Sequence, residues 1–214
     1  MRLAAFFKHS ARSIALACSI FLVVLVVAAC GTSGTTTGTT PTATSQPAPT
    51  TTAASTPTTS SALTTYTGNG YSIEYPQGWK VNASGNNVIF SDPTGIYSFI
   101  VAVAPNPGGT IDTGSVLNTA SQLLTSNLKN TQTVNVPAST TIGGDTWMQK
   151  SLAGTSTVNG QTGTVQVVVA ADNHPANSSS TNAYTITYET LQATFATASS
   201  QYFQPMIQSF KFTS

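Results

Sequence analysis

The chain has 214 residues, with 7 lysines and arginines against 6 acids, and charged residues make up only 6% of it. So sparse a charge set offers no basic patch to meet phosphate, which argues against nucleic acid as a partner. Two cysteines and two histidines leave few groups for nucleophilic or metal chemistry, while 40% hydrophobic residues suffice for one packed core.

The chain begins with Arg2, Lys8 and Arg12, continues as the apolar run Ile14 to Val27, and reaches the small pair Ala28-Ala29 directly before Cys30. A basic start, an apolar stretch and small residues are the parts of an export signal. Val27-Ala28-Ala29-Cys30 resembles the cleavage site of a bacterial lipoprotein signal, in which residues 1–29 are removed and the Cys30 sulfur carries a diacylglyceryl group. The competing reading is an uncleaved transmembrane anchor. Ile14 to Ala29 would span only about 24 Å at roughly 1.5 Å per residue, short of the roughly 30 Å hydrocarbon core. One acyl chain holds a protein marginally, whereas two or three on one residue hold it firmly. The expected address is the outer face of the cell membrane, with the membrane itself the partner through the lipid on Cys30. Cys18 lies in the segment to be removed, so no disulfide is expected in the mature chain. Loss of Arg2, Lys8 and Arg12 leaves four lysines against six acids.

Residues 30–65 are read as the lipidated cysteine followed by a tether. From Gly31 to Thr65 the composition is Thr, Ser, Pro, Ala and Gly with a single Gln46 and no charge, and Leu63 is its only large apolar residue. Such a stretch cannot bury enough surface to offset the entropy of ordering it. As a flexible coil it would reach about 30 to 35 Å. A spacer is the plain reading, and an O-glycosylated stalk the sharper one.

Residues 66–214, roughly 150 positions, have the ordinary size of one domain with one core. Tyr71, Ile73 and Tyr75 alternate with Ser72 and Glu74, which predicts a strand with one buried face, closed by a Pro76-Gln77-Gly78 turn. Val88 to Phe90 starts another strand, and Asp92-Pro93-Thr94-Gly95 has turn chemistry. Tyr97 to Ala104 is apolar on both alternating sets and must be covered on both sides. Val116, Leu117, Ala120, Leu123, Leu124 and Leu128 recur at helical spacing, with Asp112 or Thr113 as cap. Thr133 to Val136, a Gly143-Gly144 turn, Trp147 to Leu152, Val165 to Ala171 and the alternating Tyr184, Ile186 and Tyr188 then predict an antiparallel meander. Phe195, Tyr202, Phe203, Met206 and Ile207 suggest a second helix, which Pro205 would interrupt. Phe210 to Phe212 can close the sheet as a short strand. The fold class is α+β.

Gly70-Tyr71-Ser72-Ile73-Glu74-Tyr75-Pro76-Gln77-Gly78-Trp79 resembles the opening strand and turn of PsbP-like domains. Val88-Ile89-Phe90-Ser91-Asp92-Pro93 and Val101-Ala102-Val103-Ala104-Pro105 stand where that family places its next two strands, and Met206-Ile207-Gln208-Ser209-Phe210-Lys211-Phe212 is similar to its close. The resemblance covers most of Gly70 to Phe212. It implies an antiparallel β-sheet covered by helices on both faces, an α/β/α sandwich. The family is named for an extrinsic subunit of photosystem II, and many bacterial members are lipoproteins of unknown role. It carries over no catalytic residue, because the matched positions are apolar or turn-forming.

His174 is the one histidine after Cys30, set in Asp172-Asn173-His174-Pro175. A hydrolase would need it as general base together with a nucleophile that no motif supplies. Asp172 and His174 could share a metal, yet no third ligand stands at a recognisable spacing. Gly108-Gly109 and Gly143-Gly144 lack the phosphate-loop lysine, and Asp92-Pro93-Thr94-Gly95 has one carboxylate where a calcium loop uses several. Glu74 and Glu189 lie on separate strands. No metal and no cofactor is therefore expected. Tyr71, Tyr75, Tyr184 and Tyr188, with Trp79 and Trp147, are candidates for a sugar-binding face or, more simply, for the core. The reading that results is a tethered, non-enzymatic binding or accessory module of the cell envelope, meeting an envelope protein or a small ligand. Tyr71, Tyr75, Tyr184, Tyr188 and His174 are its candidate surface. Carbohydrate capture and a small hydrolase using His174 are the alternatives.

Overall fold

The structure, a computed structural model, describes residues 62–158 and 161–213. Cys30, the export signal and the tether up to Ser61 lie outside the described residues. The first strand, β1 (Leu63–Thr67), begins inside the stretch assigned to the tether, because Leu63 to Thr67 pair with Pro76 to Ser72 of β2 (Tyr71–Pro76). Backbone pairing thus orders three residues upstream of Tyr66 that composition marks as linker.

Two antiparallel sheets form the body. A three-stranded sheet has the order β1-β2-β11, where β11 is Lys211–Phe212. The eight-stranded sheet begins with β3 (Lys80–Ser84), β4 (Asn87–Ser91) and β5 (Ser98–Pro105), and continues through β6 (Lys129–Val134), β7 (Ser139–Ile142), β8 (Asp145–Val158), β9 (Gln161–His174) and β10 (Asn182–Leu191). Its order is β3-β4-β5-β10-β9-β8-β6, with β7 paired to β8 beside that path. β5 sits between β4 and β10, and every residue from Ser98 to Ala104 is buried. This is the two-sided burial that its unbroken apolar sequence requires.

The two sides of β9 divide the core. Val168 and Ala170 join Phe90, Phe99, Trp147, Ile186, Phe203 and Phe210 in a large aromatic-rich cluster, while Val167, Val169 and Ala171 pack with Val116, Leu117, Ala120 and Leu124. The latter four are the apolar stripe of α1 (Thr113–Thr125). Asp112 caps this helix as its sequence predicts, accepting from the Ser115 N–H at 2.9 Å. At the C-terminal end a helical stretch runs from Gln192 to Ser209, with regular turns α2 (Phe195–Ala198) and α3 (Gln204–Ser209) separated by a wider turn over Ser199–Phe203. There the Gln204 N–H reaches back five residues to the Ser199 carbonyl. Pro205 follows at the second position of α3. Proline lacks the N–H and its ring crowds the carbonyl four residues earlier, and the widened turn gives that ring room. The interruption expected at Pro205 is thus a widened turn just before it.

The chain is therefore mixed αβ with a large antiparallel sheet and few helices. α1 packs on the side of β9 that carries Val167, Val169 and Ala171, and the C-terminal helical stretch shares the core on the side that carries Val168 and Ala170. On the aromatic side, Tyr71 and Ile73 of the small sheet share the core with Phe203, Met206 and Ile207. No helix among the described residues is long and apolar enough to cross a membrane.

Candidate functional site

The Gly143-Gly144 turn, with φ of 62° and 94°, links β7 to β8 in a conformation that residues with a Cβ rarely adopt. A Cβ on Gly143 would also stand 3.1 Å from Phe210. This tight turn delivers Asp145 as the first residue of β8. On the neighbouring strand, β9 ends in Asp172, Asn173 and His174. The β8–β9 register runs without a shift from Val158↔Gln161 to Met148↔Ala171, and three further steps bring Asp145 across from His174. Side chains alternate along a strand. Asp145 therefore shares the face of Trp147, and Asp172 and His174 share that of Val168 and Ala170, all on the aromatic side.

The three groups converge. His174 Nδ1 and Asp145 Oδ2 are hydrogen-bonded at 2.6 Å, with both side chains partly exposed. The His174 ring lies flat on Phe212, with centroids 3.5 Å apart and planes within 5°, and meets Tyr184 edge-on. Asp172 is only 9% exposed. Burial, and then the Asp145 charge, push its carboxyl above the ordinary range, against a backbone N–H at Asn173 that pulls it down. Its Oδ2 is buried without a hydrogen-bond partner. On the opposite face Asn173 is held by the buried Asn106, whose Nδ2 donates to Asn173 Oδ1 at 2.9 Å and to the Ile111 carbonyl at 2.8 Å. Asn173 Nδ2 donates to that same carbonyl. The strand end that carries Asp172 and His174 is thus tied down from behind.

The tyrosines are placed otherwise. Tyr71 and Tyr184 are 1% and 2% exposed, Tyr188 is buried, and Tyr75 is half-buried against Phe90. They alternate inward, so aromatic packing rather than a sugar platform accounts for Tyr71 and Tyr184. Tyr71 stacks on Phe210, and its Oη is buried without a partner. Burial raises the phenols of Tyr71 and Tyr184, and that of Tyr188 is pushed up to about 12 from 10.0. A folded-state value above the unfolded one means that the folded state holds the proton longer. The stability contributed is complete below pH 10 and is lost as pH rises through about 12. Tyr188→Phe is expected to flatten the loss of stability between those limits in alkaline denaturant melts. An unchanged alkaline slope would contradict this.

Of the tyrosines singled out in the sequence, Tyr188 alone lines the cleft found between the sheet and the C-terminal helical stretch. That cleft has a volume of about 310 Å³. Ile142, Val168, Ala170 and Ile207 give it buried apolar walls, and Thr140, Gln149, Ser199 and Gln204 add neutral polar groups. None of its lining residues is charged, and His174 is not among them.

No curated protein matches the chain. Among solved structures, LpqN of Mycobacterium tuberculosis, described as involved in cell envelope biogenesis, is 16% identical with a TM-score of 0.46, over 72% of this chain and 91% of that one. PA94 of Pseudomonas aeruginosa, a protein of unknown function, is 17% identical with a TM-score of 0.32, over 64% of this chain and 89% of that one. The family model for PsbP matches residues 61–212, the span that carries both sheets and all the helices described above. The chain belongs to the PsbP family.

Proposed function

We propose that the domain is a non-enzymatic binding or accessory module of the cell envelope, held at the outer face of the membrane by lipid on Cys30. The observation that carries this reading is the cleft of about 310 Å³. Its volume lies at the lower end of the range for small-molecule sites, and apolar walls with a few neutral polar groups are the usual make-up of such sites. The absence of charge among its lining residues suits a neutral, largely apolar group. That group is either a small ligand or an apolar side chain presented by an envelope protein. The address rests on the basic start, the apolar run and Val27-Ala28-Ala29-Cys30.

A small hydrolase is the second reading, favoured by the His174–Asp145 hydrogen bond of 2.6 Å, the base-and-acid half of a triad. Among the described residues no hydroxyl or thiol hydrogen-bonds to the His174 ring to complete it. The two readings separate in one experiment. A photoreactive residue at Gln204, exposed on the cleft, is expected to crosslink a discrete ligand or envelope partner in intact cells. The same residue at Gln122, exposed on α1, is expected to give none, and Thr140→Trp should abolish the Gln204 product by filling the cleft. Equal products from both positions would end the binding reading. Turnover of an ester, glycoside, peptide or phosphate substrate that disappears in His174→Ala would establish the hydrolase.

A further inference from the structure

We propose that Asp145, Asp172 and His174 form a binding site for a divalent transition-metal ion, of the class of Zn²⁺ or Mn²⁺, at the end of the β8–β9 ladder. One donor atom from each residue lies within 4.8 Å of the other two. Donors around an ion with bonds of about 2.0 to 2.2 Å stand roughly 3.3 to 3.5 Å apart in a tetrahedral arrangement. Modest side-chain rotation therefore closes the set. The His174–Asp145 contact of 2.6 Å opens by less than an ångström as the ion takes the place of the bridging proton.

An independent observation points to a ligand. Asp172 is nine-tenths buried, and its Oδ2 is enclosed without any hydrogen-bond partner. A buried oxygen of this kind lacks the hydrogen bond that would compensate for its removal from water. A cation seated between Asp145 and Asp172 offsets it and also neutralises two carboxylates that otherwise repel each other. The site is also held in shape beforehand. Phe212 fixes the plane of the imidazole, and Asn106 pins the strand through Asn173, the residue between two of the three ligands. Such backing is what a metal site needs to present its ligands without further ordering.

The donor chemistry narrows the ion. Two carboxylates and one imidazole are a mixed oxygen and nitrogen set, which suits Zn²⁺, Mn²⁺ and their neighbours, whereas Ca²⁺ and Mg²⁺ prefer oxygen throughout. Three protein ligands leave at least one position for water or for a group from outside. The site lies apart from the cleft and does not depend on the reading given to it.

The test is calorimetric titration of the full-length protein, purified in detergent without an affinity tag and stripped by chelator, with ZnCl₂ and MnCl₂ and with CaCl₂ and MgCl₂ as controls. One equivalent of Zn²⁺ or Mn²⁺ is expected per chain, with far weaker binding of Ca²⁺ and Mg²⁺. Asp172→Asn and His174→Gln, close in shape to the originals, should each weaken binding by more than the roughly 10- to 100-fold that loss of an outer partner costs a metal site. Bound metal should also raise the melting temperature of the wild type but not of either variant. Should one variant fail to fold, Asp145→Asn serves in its place. No binding of Zn²⁺ or Mn²⁺ at micromolar concentration, or binding retained in folded Asp172→Asn and His174→Gln, overturns the proposal. The second outcome would place the ion elsewhere in the chain.

Discussion

Replacing Trp147 by alanine is expected to remove roughly 3 to 5 kcal/mol of stability, the range for deleting a fully buried large aromatic side chain. Trp147 is fully buried and touches three other rings: Phe210 edge-on at 5.6 Å, Phe212 stacked at 6.2 Å and Tyr184 tilted at 6.5 Å. Its Nε1 donates to the Ile142 carbonyl at 3.0 Å. Alanine therefore leaves both a void and a carbonyl without its donor, at the closure of the β7–β8 turn. Domains of this size are stable by only about 5 to 15 kcal/mol, so the variant should lose a large share of its stability. Urea melts monitored by circular dichroism measure the effect, and a midpoint shift worth less than about 1 kcal/mol would refute the core assignment.

The second large effect is expected from Cys30→Ala, which should move the protein wholly from the membrane fraction to the soluble one. At roughly 0.8 kcal/mol for each buried CH₂, two or three acyl chains supply nearly all the hold that the reading requires. No helix among the described residues provides a second anchor. Incorporation of labelled fatty acid should be lost together with fractionation. A variant that stays with membranes through an uncut Ile14 to Ala29 would establish the transmembrane anchor instead.

Where burial imposes a period, the elements could be read directly from the residues. β2, β5, α1 and β10 were legible because each turns a regular set of large apolar side chains inward, as Tyr71, Ile73, Phe99, Val101, Leu117 and Ile186 show. β1 and β3 were not. Their residues are mostly exposed, Leu-Thr-Thr-Tyr-Thr and Lys-Val-Asn-Ala-Ser, and they are strands because a neighbour pairs with them. Their own side chains leave no alternation to read.

The same distinction separates the candidate site into legible and hidden parts. Asp172 and His174 stand two positions apart and were visible together, whereas Asp145 is 29 positions from His174 and stands alone after two glycines. One local signal would have found it. Asn159-Gly160 is a favoured two-residue hairpin sequence, and the strands flanking it pair Val158 with Gln161. Counting outward from that pair with equal steps on each side reaches Asp145 and His174 together. Sequence spacing hides this partnership, because a long hairpin brings residues together by reflection about its turn. The burial of Tyr71 and Tyr184 was legible as the plainer of two accounts of alternating aromatics, while the cleft beside Tyr188 depends on where the last helical turns settle and has no local signature.

The place of β1 has a mechanical consequence. It is the outermost strand of the three-stranded sheet, with β2 its one neighbour there, and its first residue, Leu63, is where the chain from Cys30 enters. Any pull exerted through residues 31–61 is delivered to this ribbon and not to the eight-stranded ladder, with which β1 shares no backbone pairing. Under load the strand can peel away and lengthen the leash by about five residues, roughly 17 Å at 3.4 Å each, while β8, β9 and the groups at their end stay in register. With lipid on Cys30 as proposed, β1 would act as a sacrificial joint between that attachment and the eight-stranded ladder.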